Sequence, residues 1–302
     1  MRWRRVLVAV SAGAVLVVAG CSSGSPAPGP TGSSPSRTGP STSASAVAPE
    51  GGYVNLGDSF SAGTGVTPTV DDSPVFCLRS QRNFAHVLAE GLGRPVVDVS
   101  CGGADTTDFT RSQFYGVAPQ LDAVKADTRL VTLMIGGNDS DVYAGAIRAC
   151  SDVAAADPTG SPCQAANGSR FTDIVTGRTG PDVTAALRAV HERAPQARVI
   201  VVGYPWLLPP SGGCYPTMRV AAGDVPYLRD LQSTLNATIA DAARETGTTF
   251  VDMSRVSEGH DACSGEADRW VEPQVGARTT VPVHPNAAGQ RAIADQVRAV
   301  LG

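Results

Sequence analysis

The stretch YVNLGDSFSAGTG, residues 53–65, runs from an apolar segment straight into a Gly-Asp-Ser turn. Read as a strand ending in a tight turn, it opens an α/β fold and places Ser59 at the strand's carboxyl end. Turn chemistry alone accounts for Gly57-Asp58-Ser59, since glycine supplies positive φ and short polar side chains bond their own backbone. Whether Ser59 is a turn residue or a nucleophile therefore depends on the rest of the chain.

Outward from this strand, apolar β-branched runs recur at 95–99, 129–135, 198–202 and 248–251. Helical patterns fall at 83–90, 119–125, 181–192 and 227–244, and a last one at 287–300 closes the chain. Pro119 and Pro181 sit where a first helical turn tolerates proline. Continuous apolar strands alternating with helices predict a parallel sheet covered on both faces, an α/β/α sandwich. Segments 150–180, 205–226 and 254–282 read as loops, and no internal repeat is visible.

The amino-terminal part has a different character. Arg2, Arg4 and Arg5 precede an apolar run over 6–18, and Val18-Ala19-Gly20 places small residues ahead of Cys21. This is the pattern of a secretory signal, with a run short for a membrane-spanning helix. Its ending resembles a bacterial lipobox, which implies a signal peptide over 1–20 and acylation of the Cys21 thiol. From Ser22 to Glu50 the chain is mostly Ser, Pro, Gly, Thr and Ala, a composition that cannot offset its ordering entropy and predicts a disordered tether over 21–50. The remaining 51–302 is long enough for one large core. Without the three signal arginines the formal charge of −4 becomes −7. An acidic domain without a Lys/Arg cluster argues against a nucleic-acid partner. Besides Cys21 there are six cysteines, an even set that reads as three disulfides in an exported chain. No C-x-x-C pair and no histidine at ligand spacing suggests zinc, so no metal is expected.

Ligands of open parallel sheets bind beyond the carboxyl ends of the strands. There the sequence places Gly57-Asp58-Ser59, then Ser100-Cys101-Gly102-Gly103-Ala104, then Gly136-Gly137-Asn138-Asp139; His284-Pro285-Asn286 precedes the last helix. A serine hydroxyl needs a base before it attacks anything. Of four histidines, His86 and His191 read as helix-face or packing residues and His260 as a loop residue. His284 has the position of a base. Acyl transfer also needs donors aimed at the developing oxyanion, and the N–H groups of Ser59 and Gly103 and the Asn138 amide are candidates.

GDSFSAG at 57–63, Gly103 in SCGGA, Asn138 in IGGND and His284 in VHPN resemble the four blocks of the SGNH, or GDSL, hydrolases, in family order. The likeness spans 53–301 and is nearest in pattern to actinobacterial secreted lipases and esterases, through CGGADTT, PQLDAV, RWVEP and HPNAAGQ. It implies a flavodoxin-like five-stranded parallel sheet and hydrolysis of carboxylic esters without a cofactor. It also implies Ser59 as nucleophile, His284 as general base and acid, and an oxyanion hole of Ser59, Gly103 and Asn138. The same relatives imply the pairings Cys77–Cys101, Cys150–Cys163 and Cys214–Cys263. One position departs from the pattern: Val281 stands where most members carry an aspartate three residues before the histidine. The expectation is a Ser59–His284 dyad in which the Val281 carbonyl orients the imidazole, with Asp268 or Glu272 reaching in as the alternative. The expected protein is a monomeric lipase or esterase with an ester or lipid substrate, held at the membrane by a lipid on Cys21 or secreted. Acetylated polysaccharide, a thioester or acyl transfer would use the same chemistry, and a lipid- or sugar-binding lipoprotein would use the cleft without it. Tyr204-Pro205-Trp206-Leu207-Leu208 reads equally as an apolar wall of the cleft or as core.

Overall fold

The computed structural model describes residues 52–302. The signal peptide over 1–20, the tether over 21–50 and Cys21 lie outside the described residues.

Five parallel strands form the sheet: β1 Gly52–Gly57, β2 Val97–Asp98, β3 Thr128–Met134, β4 Arg198–Val202 and β5 Thr249–Val251, in the order β2-β1-β3-β4-β5. This is the flavodoxin-like order that the family resemblance implies. Strand β3 pairs with β1 from Gly52↔Thr128 to Gly57↔Met134, so both strands end at one level. Their side chains are almost all buried, because helices cover both faces and leave no solvent side for polar alternation.

The helices are α1 Phe84–Leu92, α2 Val142–Val153, α3 Gly180–Arg193, α4 Val225–Thr246 and α5 Ala287–Leu301. α1 packs against α5, and α3 against α4. The path from β1 through α1 to β2 runs one way along the sheet, while β3-α3-β4-α4-β5 runs the other. Right-handed crossovers then put the two helix pairs on opposite faces. The direction in which successive strands are added reverses between β1 and β3, and that switch point opens a crevice at their carboxyl ends.

Local departures from the sequence reading have physical causes. The segment 119–125 forms only a 3₁₀ turn, Gln120–Ala123, with Pro119 as its cap. The buried Gln120 amide donates to Gly57 O and accepts from Gly57 N, which ties this turn to the end of β1. Helix α2 starts only eight residues after β3 ends, ahead of the segment read as loop. Within 150–180 lie short helices Pro162–Asn167 and Arg170–Ile174 and a π-turn Val175–Thr179 that runs into α3. These helices are only six and five residues long, too short to show a 3.6-residue period, and the Cys150–Cys163 bridge ties the first of them to α2. The other two bridges are Cys77–Cys101 and Cys214–Cys263, so all three pairings are those implied by the resemblance.

Candidate active site

Gly57 ends β1 at φ 113°, and a Cβ there would meet Met134 O at 2.2 Å. Only glycine lets β1 turn this close to β3. Asp58 then caps a single helical turn, Ser59–Ala62, by accepting the Phe60 N–H at 2.8 Å. Ser59 occupies the first position of that turn, and its N–H is engaged by no other described residue. Gln290 of α5 donates to Phe60 O at 2.9 Å, and Met134 N donates to Ser61 Oγ at 2.8 Å, so the turn is fixed from both sides.

The Ser59 hydroxyl lies 2.8 Å from His284 Nε2, although 225 residues separate them. His284 Nδ1 lies 2.8 Å from Pro282 O. A carbonyl can only accept, so Nδ1 carries the proton and Nε2 presents its lone pair to the serine. The orienting acceptor is therefore Pro282, which corrects the expectation for Val281; Val281 O accepts from Thr279 Oγ1 instead. The reason is Val283, held in the left-handed region at φ 60°, where the chain bends back on itself. That conformation is strained for a β-branched residue. It is held by Val283 N→Glu272 O at 2.8 Å and Glu272 N→His284 O at 3.0 Å.

Neither alternative acid meets the imidazole. The fully buried Glu272 carboxylate accepts from Arg269, from Arg278 N and from Asn286 at 2.7–3.0 Å. Burial alone would raise its pKa, but these bonds and the Arg269 charge bring it below the ordinary value. It fastens the histidine loop rather than the ring. Asp268 contributes its backbone carbonyl to His260, whose ring stacks on Trp270. His86 lies beside Asp98 and His191 bonds Thr248, both on helices, while His260 is the loop residue it was read as. Burial lowers the His284 pKa, opposed by the Pro282 carbonyl bond. The imidazole is neutral at pH 7 and available as a base.

Gly103 and Asn138 line the same cleft as Ser59 and His284. Gly103 sits at φ 76°, and its N–H is engaged by no other described residue. Asn138 Nδ2 donates to Ala104 O at 2.9 Å, which leaves its second amide hydrogen. Two buried carboxylates brace these loops, a role the sequence reading did not assign. Asp139 accepts Thr106 N and Thr106 Oγ1, each at 2.9 Å, joining the loop after β3 to the loop after Gly103. Asp58 accepts the Tyr204 hydroxyl, which itself accepts the Gly137 N–H at 3.0 Å. Burial pushes Asp58 up to about 6 and Asp139 up to about 7, against the bonds each accepts. Both aspartates lie inside the quoted motifs, whereas Tyr204 lay in a stretch legible only as apolar. In that stretch Trp206, Leu207 and Leu208 are all buried, and Leu207 with Tyr204 also lines the cleft.

The cleft holds about 500 Å³ and is walled by Phe60, Phe76, Leu78, Ile147, Leu207 and Val283. Against known proteins, the GDSL-like Lipase/Acylhydrolase family matches residues 56–292. The chain belongs to this family. It is a carboxylic ester hydrolase. Lipase 2 of Streptomyces coelicolor is 49% identical over 253 residues, covering 83% of this chain and 85% of that protein. The crystal structure of phospholipase A1 from Streptomyces albidoflavus superposes with a TM-score of 0.71 at 27% identity, over 82% of this chain and 98% of that one. An extracellular lipase from Streptomyces rimosus gives 0.70 at 26% identity, over 82% and 99%.

Proposed function

We propose that this family member hydrolyses carboxylic esters of lipids through a Ser59–His284 dyad, as an exported enzyme. The observation that carries the reading is the relay Ser59 Oγ···His284 Nε2 with Nδ1–H on the Pro282 carbonyl, which fixes the tautomer a base requires. Ser59 Oγ attacks the acyl carbonyl carbon while its proton passes to Nε2. The resulting oxyanion accepts from Ser59 N–H, Gly103 N–H and the free Asn138 amide hydrogen. As the C–O bond breaks, the imidazolium returns the proton to the departing alcohol and leaves an acyl-serine. Water then attacks the acyl carbon, with His284 as base again, and the carboxylic acid departs. A neutral carbonyl stabilises the imidazolium less than a carboxylate would, so pre-orientation is what the Pro282 bond contributes.

The apolar cleft favours a fatty acyl group over the acetylated sugar of the alternative reading. Retention of both serine and histidine favours catalysis over simple lipid binding. Export is supported by the amino-terminal sequence and by likeness to an extracellular lipase. The test is a panel of esters of increasing acyl length, with phospholipids, on wild type and Ser59→Ala. Turnover should fall at least about 10⁴-fold in the variant. Turnover surviving there would refute the mechanism, and a preference for acetyl esters would refute the lipid assignment.

A further inference from the structure

Seven large apolar residues are well exposed among the described residues, and four of them belong to two neighbouring turns at the cleft mouth. Val75 is 73% exposed, Phe76 67% and Leu78 38%, while Tyr115 is fully exposed. The Phe76 ring lies 5.4 Å from that of Phe114, the residue before Tyr115. Single exposed apolar residues are ordinary, but a contiguous cluster marks an interaction surface. We propose that this ridge docks the enzyme on an electrically neutral lipid surface and passes substrate from it into the cleft, an inference that rests on the lipid-ester reading above.

The ridge is built to hold these side chains outward. Val75 and Phe76 stand on a 3₁₀ turn whose third residue, Cys77, is fully buried and bonded to Cys101. Gly102 N donates to Cys77 O at 3.0 Å, which seats the turn on the Gly102-Gly103 loop. Leu78 is held at φ 51°, a conformation rarely adopted by a bulky residue. On the second turn, the Ser112 hydroxyl bridges Phe114 O and Val117 O at 2.6 and 2.5 Å. Cys77, Cys101, Ala104 and Val117 form a small core of their own beneath, with Phe114 packed on it.

Continuity and charge select the occupant. Phe76 and Leu78 belong both to the exposed ridge and to the cleft wall. A second protein seated there would cap the mouth, whereas a lipid layer supplies ester through it. Residues 73–78 and 112–120 carry no charged side chain. Residues 52–302 hold 20 Lys and Arg against 27 Asp and Glu, a net −7, which opposes approach to an anionic surface. The surface that fits is zwitterionic or uncharged.

The test uses the full chain carrying Cys21→Ser, so that no acyl chain contributes, and adds Val75→Ser with Tyr115→Ser, neither of which lines the cleft. Binding is measured by cosedimentation with phosphatidylcholine vesicles, and turnover on a soluble short-chain ester and on the vesicle lipid. The double variant should bind vesicles about tenfold more weakly or worse. Its vesicle hydrolysis should fall in proportion, with soluble-ester kcat/KM within about twofold of the parent. Equal vesicle binding, an equal loss on soluble ester, or parent binding confined to phosphatidylglycerol vesicles and abolished by salt would each overturn the proposal. Ser59→Ala should bind vesicles like the parent, so docking is read separately from turnover.

Discussion

Thr106→Val removes one hydroxyl from the strap between the loops that carry Gly103 and Asn138 and keeps its shape and backbone N–H. In the wild type, Asp139 is 3% exposed and accepts from both Thr106 donors at 2.9 Å. A hydrogen bond to a charged group contributes about 1.5–3 kcal/mol, and a buried acceptor deprived of its donor bears the desolvation penalty instead. Burial already holds the Asp139 pKa up at about 7, with the Thr106 bonds pulling it down. Losing one bond raises it further. The sign follows from linkage: an acid with a raised folded pKa contributes most stability below its unfolded pKa, and loses that contribution as pH rises through the folded value. In the variant this decline continues to higher pH, so its deficit against wild type widens from pH 6 to pH 8. A deficit of about 1 kcal/mol at pH 6 should become about 2–3 kcal/mol at pH 8, since each further unit of pKa is worth about 1.4 kcal/mol. Urea unfolding at the two pH values, with m-values compared, reads this directly. On a soluble ester, kcat should fall about tenfold with KM within about twofold, because the loops matter most when the oxyanion forms. Equal deficits at pH 6 and pH 8, or less than about 0.5 kcal/mol at both, would refute the strap as described.

Asn138→Ala should lower kcat by about 10²–10³ with little change in KM, the usual loss for one oxyanion donor; an unchanged steady-state rate would remove Asn138 from the mechanism. Because burial lowers the His284 pKa, its base form persists to lower pH, and the acid limb of kcat/KM on a neutral ester should have its midpoint below the ordinary 6.5. A midpoint above 7 in the pH–rate profile would contradict that. Cys77→Ser with Cys101→Ser opens a loop of sequence separation 24 and should cost about 2–4 kcal/mol in a denaturant melt. The same pair should lower turnover, since Gly102 N rests on Cys77 O; full activity in a destabilised variant would separate the bridge from the site.

Much of this was legible in the chain because turns at strand ends demand particular residues. Gly57 and Gly103 sit at positive φ and Asn138 follows the Gly136-Gly137 turn, so backbone geometry leaves letters there in the sequence. Strands β1, β3 and β4 were legible for the same kind of reason, since burial on both faces writes continuous apolar runs; the edge strand β2 keeps only Val97–Asp98 of the run at 95–99, with Val97 exposed. Helices in the 142–180 region were less so, because α2 begins in a strained loop, with Ser140 and Asp141 both at positive φ, and the helices after it are too short to show a helical period.

The sequence by itself determined which serine, histidine, glycine and asparagine could meet, and which cysteines would pair once the family pattern was seen. Tertiary structure alone decided what holds them in place. The acceptor behind His284 is a backbone carbonyl, selected by the bend at Val283, and no side-chain letter records a carbonyl's direction. The braces Asp139–Thr106 and Asp58–Tyr204 join residues 33 and 146 positions apart. Such contacts exist only because the sheet order brings the loops after β2, β1, β3 and β4 to one edge, a long-range arrangement that local propensity does not encode.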